Sequence, residues 1–212
     1  MPRSLQWAVV KTPKAFILVP AAACALLLAG CSSSTDTAAD TTTAPAATAT
    51  TQAGAQESSA PTCPSDPAPA DAPVQWQLDG ATGAISVTGQ TDSTAPGITV
   101  DTPFTVDRTQ VETLEKGDGP QVTAQSTVLV CYVGVDGRDG SVFDSAYQRG
   151  KPAAFPASGV VPGFRQALVG QTVGSSVAVA IPPADGYPQG TPDGAIQAGD
   201  SIVFALKILA AR

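Results

Sequence analysis

Between Val128 and Leu209, three runs alternate so regularly that each must be a strand. In TVLVCYV, Val128, Val130 and Tyr132 share one face while Leu129, Cys131 and Val133 share the other, because successive strand side chains point to opposite sides. SVAVAI groups Val177, Val179 and Ile181, and SIVFALKIL groups Ile202, Phe204, Leu206 and Ile208. Only one segment has helical spacing, Gly163 to Val169, where Phe164, Ala167 and Leu168 face one way. Over residues 108–212 the pattern predicts the strands of a half-wrapped sheet and one short α-helix.

Ahead of it, residues 63–107 carry strand-like pieces, VQWQL from Val74, AISVTG from Ala84 and GITV from Gly97, separated by turn residues. A segment this short rarely builds its own core. It is expected to form two or three strands packed on the following domain, with Trp76 as the anchor; a partner-docking surface is the functional alternative.

The chain starts with Arg3, Lys11 and Lys14, then an apolar run from Ala15 that ends at Leu28-Ala29-Gly30-Cys31. That run is shorter than the ~20 residues a spanning helix needs and closes on small residues, which reads as a signal over residues 1–30. L-A-G-C resembles a bacterial lipobox, whose cysteine is acylated and becomes the new N-terminus. Cys31 would then hold the protein by a lipid on the extracytoplasmic face of a cell membrane; an ordinary secretory signal or an uncleaved anchor is the alternative. Residues 31–62 are rich in Ser, Thr and Ala with no aromatic residue, so they cannot bury enough apolar surface to offset the entropy of ordering. They are expected to be a disordered tether, about 30 Å in root-mean-square reach as a random coil.

Charge and composition exclude several functions. The formal charge is −7, and loss of the signal would leave eight basic against 18 acidic residues. Nucleic acid, which needs Lys and Arg against its phosphates, is not an expected partner. There is no histidine, so His-based triads and His-ligated zinc are out, and no metal or cofactor is expected. With Cys24 lost and Cys31 acylated, Cys63 and Cys131 remain in a compartment that permits disulfides, and they are expected to pair. In the chain-entropy model a loop of this length contributes about 4 kcal/mol. Two reduced, buried thiols are the alternative.

Four motifs carry a resemblance over residues 109–210. C-Y-V-G at Cys131, V-F-D-S at Val142, V-V-P-G-F at Val160 and I-P-P-A-D-G-Y at Ile181 occur in the order and at the spacing of the FKBP-type (macrolide-binding) peptidyl-prolyl isomerases. The resemblance implies an FKBP-like α+β fold, a curved antiparallel β-sheet wrapped around one short α-helix, and cis–trans isomerisation of X–Pro bonds in an apolar pocket. It implies roles residue by residue. Phe164 takes the floor position usually held by tryptophan, Tyr132, Phe143 and Phe204 form walls, and Asp144 is the pocket carboxylate. The Val161 N–H holds the substrate carbonyl, with Val160 beside it, and the Tyr187 hydroxyl reaches the ligand. Phe155 adds a wall ring, and Ile196 lies on the loop that covers the proline. Proline-containing segments of unfolded or secreted proteins are the implied partners, macrolides the implied small-molecule ligands, and a monomer the expected state.

Taken singly, each of these residues also has a plain structural role: core for Phe164, Phe204 and Val161, half-buried packing for Tyr132, a turn or cap for Asp144. Two departures from the family bear on activity. Pro152-Ala153-Ala154-Phe155 has alanine where the first of two aromatics often stands, a form that looks like the macrophage infectivity potentiator subgroup. Gly186-Tyr187-Pro188 replaces the usual A-Y-G, and proline restricts Tyr187 to extended conformations. A swung-out Tyr187 would weaken the hydrogen bond to substrate. These departures leave open a binding module of the same fold that holds proline-containing segments with little turnover.

Overall fold

The computed structural model describes residues 61–212. The expected signal, Cys31 with its expected acylation and nearly all of the expected tether lie outside the described residues. Three strands come first, β1 (Val74–Asp79), β2 (Thr82–Thr88) and β3 (Gly97–Thr105), paired antiparallel in the order β1-β2-β3. Then follow β4 (Gln110–Glu115), β5 (Thr127–Asp136), β6 (Val142–Ser145), β7 (Ala153–Pro156), helix α1 (Pro162–Leu168), β8 (Ser176–Ile181) and β9 (Ile202–Ala211).

These later strands form one antiparallel sheet in the order β4-β8-β9-β5-β6. The long strand β5 pairs along its whole length with β9 on one side, and on the other side with β7 and then with β6. Helix α1 lies across the concave face, where Val177, Val179 and Ile181 of β8 and Phe204, Leu206 and Ile208 of β9 meet Phe164, Ala167 and Leu168. Pro162 suits the first helical turn, where its missing N–H costs no intrahelical bond. The helix sits close to the sheet because residue 163 is glycine; a Cβ there would overlap Ile181.

The convex face is covered as well. Every residue of β8 is buried. Ala178 and Ala180, with Val203 and Ala205 of β9, form a shallow surface filled by Ile85, Val87, Phe104 and Val106. Residues 61–212 therefore stack as helix, six-stranded sheet and three-stranded sheet within one compact unit. Two or three strands are expected here and three are present, but Trp76 is not their anchor. It is half-buried at a bulge near the start of an edge strand, whereas Phe104 is fully buried. Phe104 sits where the chain enters the second sheet: its N–H donates to the Gly137 carbonyl at 2.8 Å, and the Val106 N–H to Ser201 Oγ at 3.1 Å. Each of the four filling side chains contributes about 1.5–3 kcal/mol of burial, so this layer is a main part of the core.

Cys63 and Cys131 are joined in a disulfide with Cα atoms 5.6 Å apart. The bridge fastens the start of the N-terminal segment to β5, one residue from Tyr132.

Candidate functional site

At the open end of α1 the concave face leaves a cleft of about 350 Å³. Tyr132 from β5, Phe143 and Asp144 from β6, Phe155 from β7, Phe164 from α1 and Phe204 from β9 converge on it; Gly159, Val160, Val161 and Tyr187 complete the lining. Its rings pack edge to face. Phe164 and Phe204 have centroids 4.9 Å apart, and Tyr132 stands 6.1 Å from Phe164 and 5.8 Å from Phe155. Edge-to-face pairs of this kind hold one another in a fixed orientation, so the cavity keeps its shape without a ligand.

Local backbone devices put these rings in place. Phe143 and Asp144 are neighbours in a strand and should face opposite ways. A bulge in β6 sets Val142 through Asp144 against only Gly134 and Val135, and both side chains turn to the cleft. Gly134 in β5 clears room for the pair Phe143–Phe204, 5.4 Å between centroids, since a Cβ there would come within 2.5 Å and 2.6 Å of the two rings. Val161 caps α1 in an extended conformation. Its carbonyl accepts from Arg165, while its N–H meets no protein acceptor among the described residues.

The polar wall is a network of three. The Tyr132 hydroxyl donates to Asp144 Oδ2, Arg149 Nη1 donates to Asp144 Oδ1, and Arg149 Nη2 donates to the Tyr132 oxygen at 3.1 Å. The guanidinium also lies over the Tyr132 ring, 5.8 Å from its centroid. Burial and the bond to Asp144 push the Tyr132 hydroxyl up to about 12. Burial alone would raise the Asp144 carboxyl, but the bonds from Tyr132 and Arg149 outweigh it and hold the group below the usual carboxylate range. Tyr187 is raised by burial and by the Asp144 charge. All three ionisable lining groups are thus moved away from neutrality.

Of the residues expected at the site, Tyr132, Phe143, Asp144, Phe155, Val160, Val161, Phe164, Tyr187 and Phe204 line this one cleft. Ile196 does not. It is 2 % exposed in the main core, drawn in by a closed turn in which the Thr191 N–H donates to the Ile196 carbonyl at 2.8 Å and the Ile196 N–H to Thr191 Oγ1 at 3.1 Å. The Tyr187-Pro188 departure leaves the tyrosine in the cleft. The Gly190 N–H donates to the Tyr187 carbonyl at 2.9 Å, so Pro188 occupies the second position of a β-turn, where its fixed φ is favoured and the preceding residue is extended. Gly159 and Arg149 were missed by sequence reasoning. The signal for Arg149 was its place five residues after Asp144, across the turn that ends in Gly150.

A family model for FKBP-type peptidyl-prolyl cis-trans isomerases matches residues 119–209. The chain is 34% identical over 96 residues to the probable FK506-binding protein of Corynebacterium glutamicum, an alignment that covers 45% of this chain and 80% of that protein. The FK506-binding protein of Streptomyces anulatus is likewise 34% identical, over 103 residues, with 47% and 83% covered. The chain belongs to the FKBP family. Over 105 residues this FKBP is also 31% identical to the peptidyl-prolyl cis-trans isomerase Mip of Coxiella burnetii, an alignment covering 49% of the chain and 44% of that longer protein. The chain thus spans less than half of Mip, and residues 63–107 lie outside the span that the family model matches.

Proposed function

We propose that this FKBP is an extracytoplasmic, lipid-anchored isomerase of X–Pro peptide bonds, acting on unfolded segments of secreted or envelope proteins. The observation that carries the catalytic part is the cleft itself. It is lined by six aromatic rings, has at its edge an amide N–H without a protein acceptor among the described residues, and contains no ionisable group shifted toward neutrality.

Rotation about a peptide bond must overcome about 18–20 kcal/mol of amide resonance, and before proline the two isomers differ little in energy but still interconvert slowly. No bond is made or broken. The twisted transition state has lost resonance, so its carbonyl is less polar than that of the planar amide and its nitrogen is pyramidal. An apolar aromatic cavity disfavours the polar planar form relative to the twisted one, and differential binding of this kind lowers the barrier. In this proposal the prolyl ring sits on Phe164 between Tyr132, Phe155 and Phe204. The Val161 N–H holds a substrate carbonyl, and the Tyr187 hydroxyl, which has no protein partner among the described residues, donates a second bond. Asp144 and Arg149 act by fixing Tyr132, not by proton transfer.

Two experiments test the proposal. Exchange NMR on a short X–Pro peptide should show acceleration by the chain, abolished by Phe164→Ala and reduced by Tyr187→Phe. A folded parent that leaves the exchange rate unchanged refutes it. The anchor, which lies outside the described residues, predicts that labelled palmitate enters the parent and not Cys31→Ala, and that only the parent sediments with membranes.

A further inference from the structure

Arg149 is an exposed, flexible side chain, yet it supplies two of the bonds that hold the cleft wall. Its own ion pair cannot fix it: both partners are about half exposed, 49% for Arg149 and 40% for Asp144, and pairs of that kind contribute little alone. What fixes it must be the backbone that carries it, the turn over residues 146–150 that follows β6.

That turn is tied on its inner side to β5 by the Ala146 N–H, which donates to the Tyr132 carbonyl at 2.9 Å. It is closed on itself by the Gly150 N–H to the Tyr147 carbonyl, the Lys151 N–H to the Ala146 carbonyl and the Gln148 N–H to Ser145 Oγ, and its outer side is tied to the N-terminal segment. Tyr147, 2 % exposed, donates its hydroxyl to Gln90 Oε1, just past the end of β2. The Gly150 carbonyl accepts from the Cys63 N–H at 3.4 Å, and Cys63 is fixed in place by its disulfide to Cys131. The residues two before and one after Arg149 are therefore both held by a part of the chain that the family model does not match.

We propose that Gln90 and Cys63 are positioning residues for the cleft: through the 146–150 turn they keep Arg149 on Asp144 and Tyr132, which makes residues 63–107 part of the active-site scaffold. This rests on the isomerase reading for its effect on turnover, but not for its effect on the wall. Without the Gln90 acceptor the buried Tyr147 hydroxyl has no partner, and the turn must shift to hydrate it. Arg149 then loses its registry with Asp144, and the ring of Tyr132 loses its clamp.

The test uses the whole chain from Cys31 onward, with Gln90→Leu, Gln90→Glu and Tyr147→Phe, each checked for a folded state by circular dichroism. Two quantities are read: kcat and KM for an X–Pro peptide, and the Asp144 carboxyl titration followed by carbon NMR. Gln90→Leu should lower kcat/KM by about tenfold, the scale of a sub-ångström misplacement, and move the Asp144 titration up, since Arg149 holds it down. Gln90→Glu keeps an acceptor oxygen and should restore both, and Tyr147→Phe added to Gln90→Leu removes the unpaired hydroxyl and should make both effects smaller than in Gln90→Leu alone. Unchanged turnover and an unchanged Asp144 titration in Gln90→Leu overturn the proposal. If the parent itself does not turn over peptide, the isomerase reading fails and the titration alone decides this one: an upward move supports it and no move overturns it.

Discussion

Phe104→Ala probes whether the two sheets are one cooperative unit. Phe104 is fully buried against Ala178, Ala180, Val203 and Ala205, small residues that cannot reach into the space a missing ring would leave. Truncation of a ring in such a site costs about 3–5 kcal/mol. At this domain size about 2–4 °C of Tm is lost per kcal/mol, so the expected fall is roughly 6–20 °C. The decisive point is which parts melt together. In the chain from Ser32 onward Trp76 is the only tryptophan, and it lies in the three-stranded sheet, so its fluorescence reports that layer. Near-ultraviolet circular dichroism of the tyrosines reports the cleft and the turn beside it. The residues under Phe104 alternate along β8 and β9 with Val177, Val179 and Phe204, which form the other face. Exposing one face should therefore unfold the other. Both signals should shift together to lower urea in Phe104→Ala. A tryptophan transition that moves down while the tyrosine transition stays would refute the reasoning and make residues 63–107 a separate, dispensable layer.

Other consequences of the geometry are open to measurement. Gly134→Ala should push Phe143 and Phe204 apart, at a cost of about 1–3 kcal/mol for overpacking, and weaken peptide binding by more than it lowers stability; titration calorimetry beside urea unfolding checks both. Reduction of Cys63–Cys131 should lower stability by about 4 kcal/mol, read as a lower urea midpoint with dithiothreitol than without. The Tyr132 hydroxyl is raised in the folded state, so its contribution to stability is complete below pH 10 and is lost as pH rises toward 12, whereas Asp144 is lowered and its contribution is lost only as pH falls below the ordinary carboxylate range. Stability should thus be flat through neutral pH at these two groups and fall at both extremes, and Tyr132→Phe should lessen the alkaline fall without removing it, because burial also raises Tyr147 and Tyr187.

The cleft was legible in the sequence because its residues sit in short motifs whose backbone geometry travels with them. V-V-P-G-F encodes an extended cap, a helix start and a floor ring in five residues, and the bulge that turns Phe143 and Asp144 the same way is hidden from period-two counting but contained in V-F-D-S. Ile196 failed for the opposite reason. Its motif position gives a loop, but the direction of its side chain is set by the Thr191 hydroxyl closing on its amide, a local detail that the family pattern does not specify. Gln90 was missed because nothing local marks it: the bond between Tyr147 and Gln90 spans 57 residues, and only the packing of the two sheets brings them together.

The covered convex face was recorded in the sequence, though in a form that hydrophobic alternation does not separate. A strand with one wet face alternates apolar with polar residues. SVAVAI instead alternates large with small: Val177, Val179 and Ile181 fill the space around α1, and Ala178 and Ala180 leave a shallow bed for Ile85 and Phe104. Alanine there is apolar without being bulky, which makes sense only if something packs close against it. The same choice recurs at Ala205, opposite Ala178 in the β8–β9 register. The second sheet is therefore specified from both sides, by the alanines of the domain that the family model matches and by the large side chains of the segment that it does not. A chain that kept its cleft motifs but lost residues 63–107 would present those alanines and the valine between them to water, on the strands that hold Phe204 in the cleft.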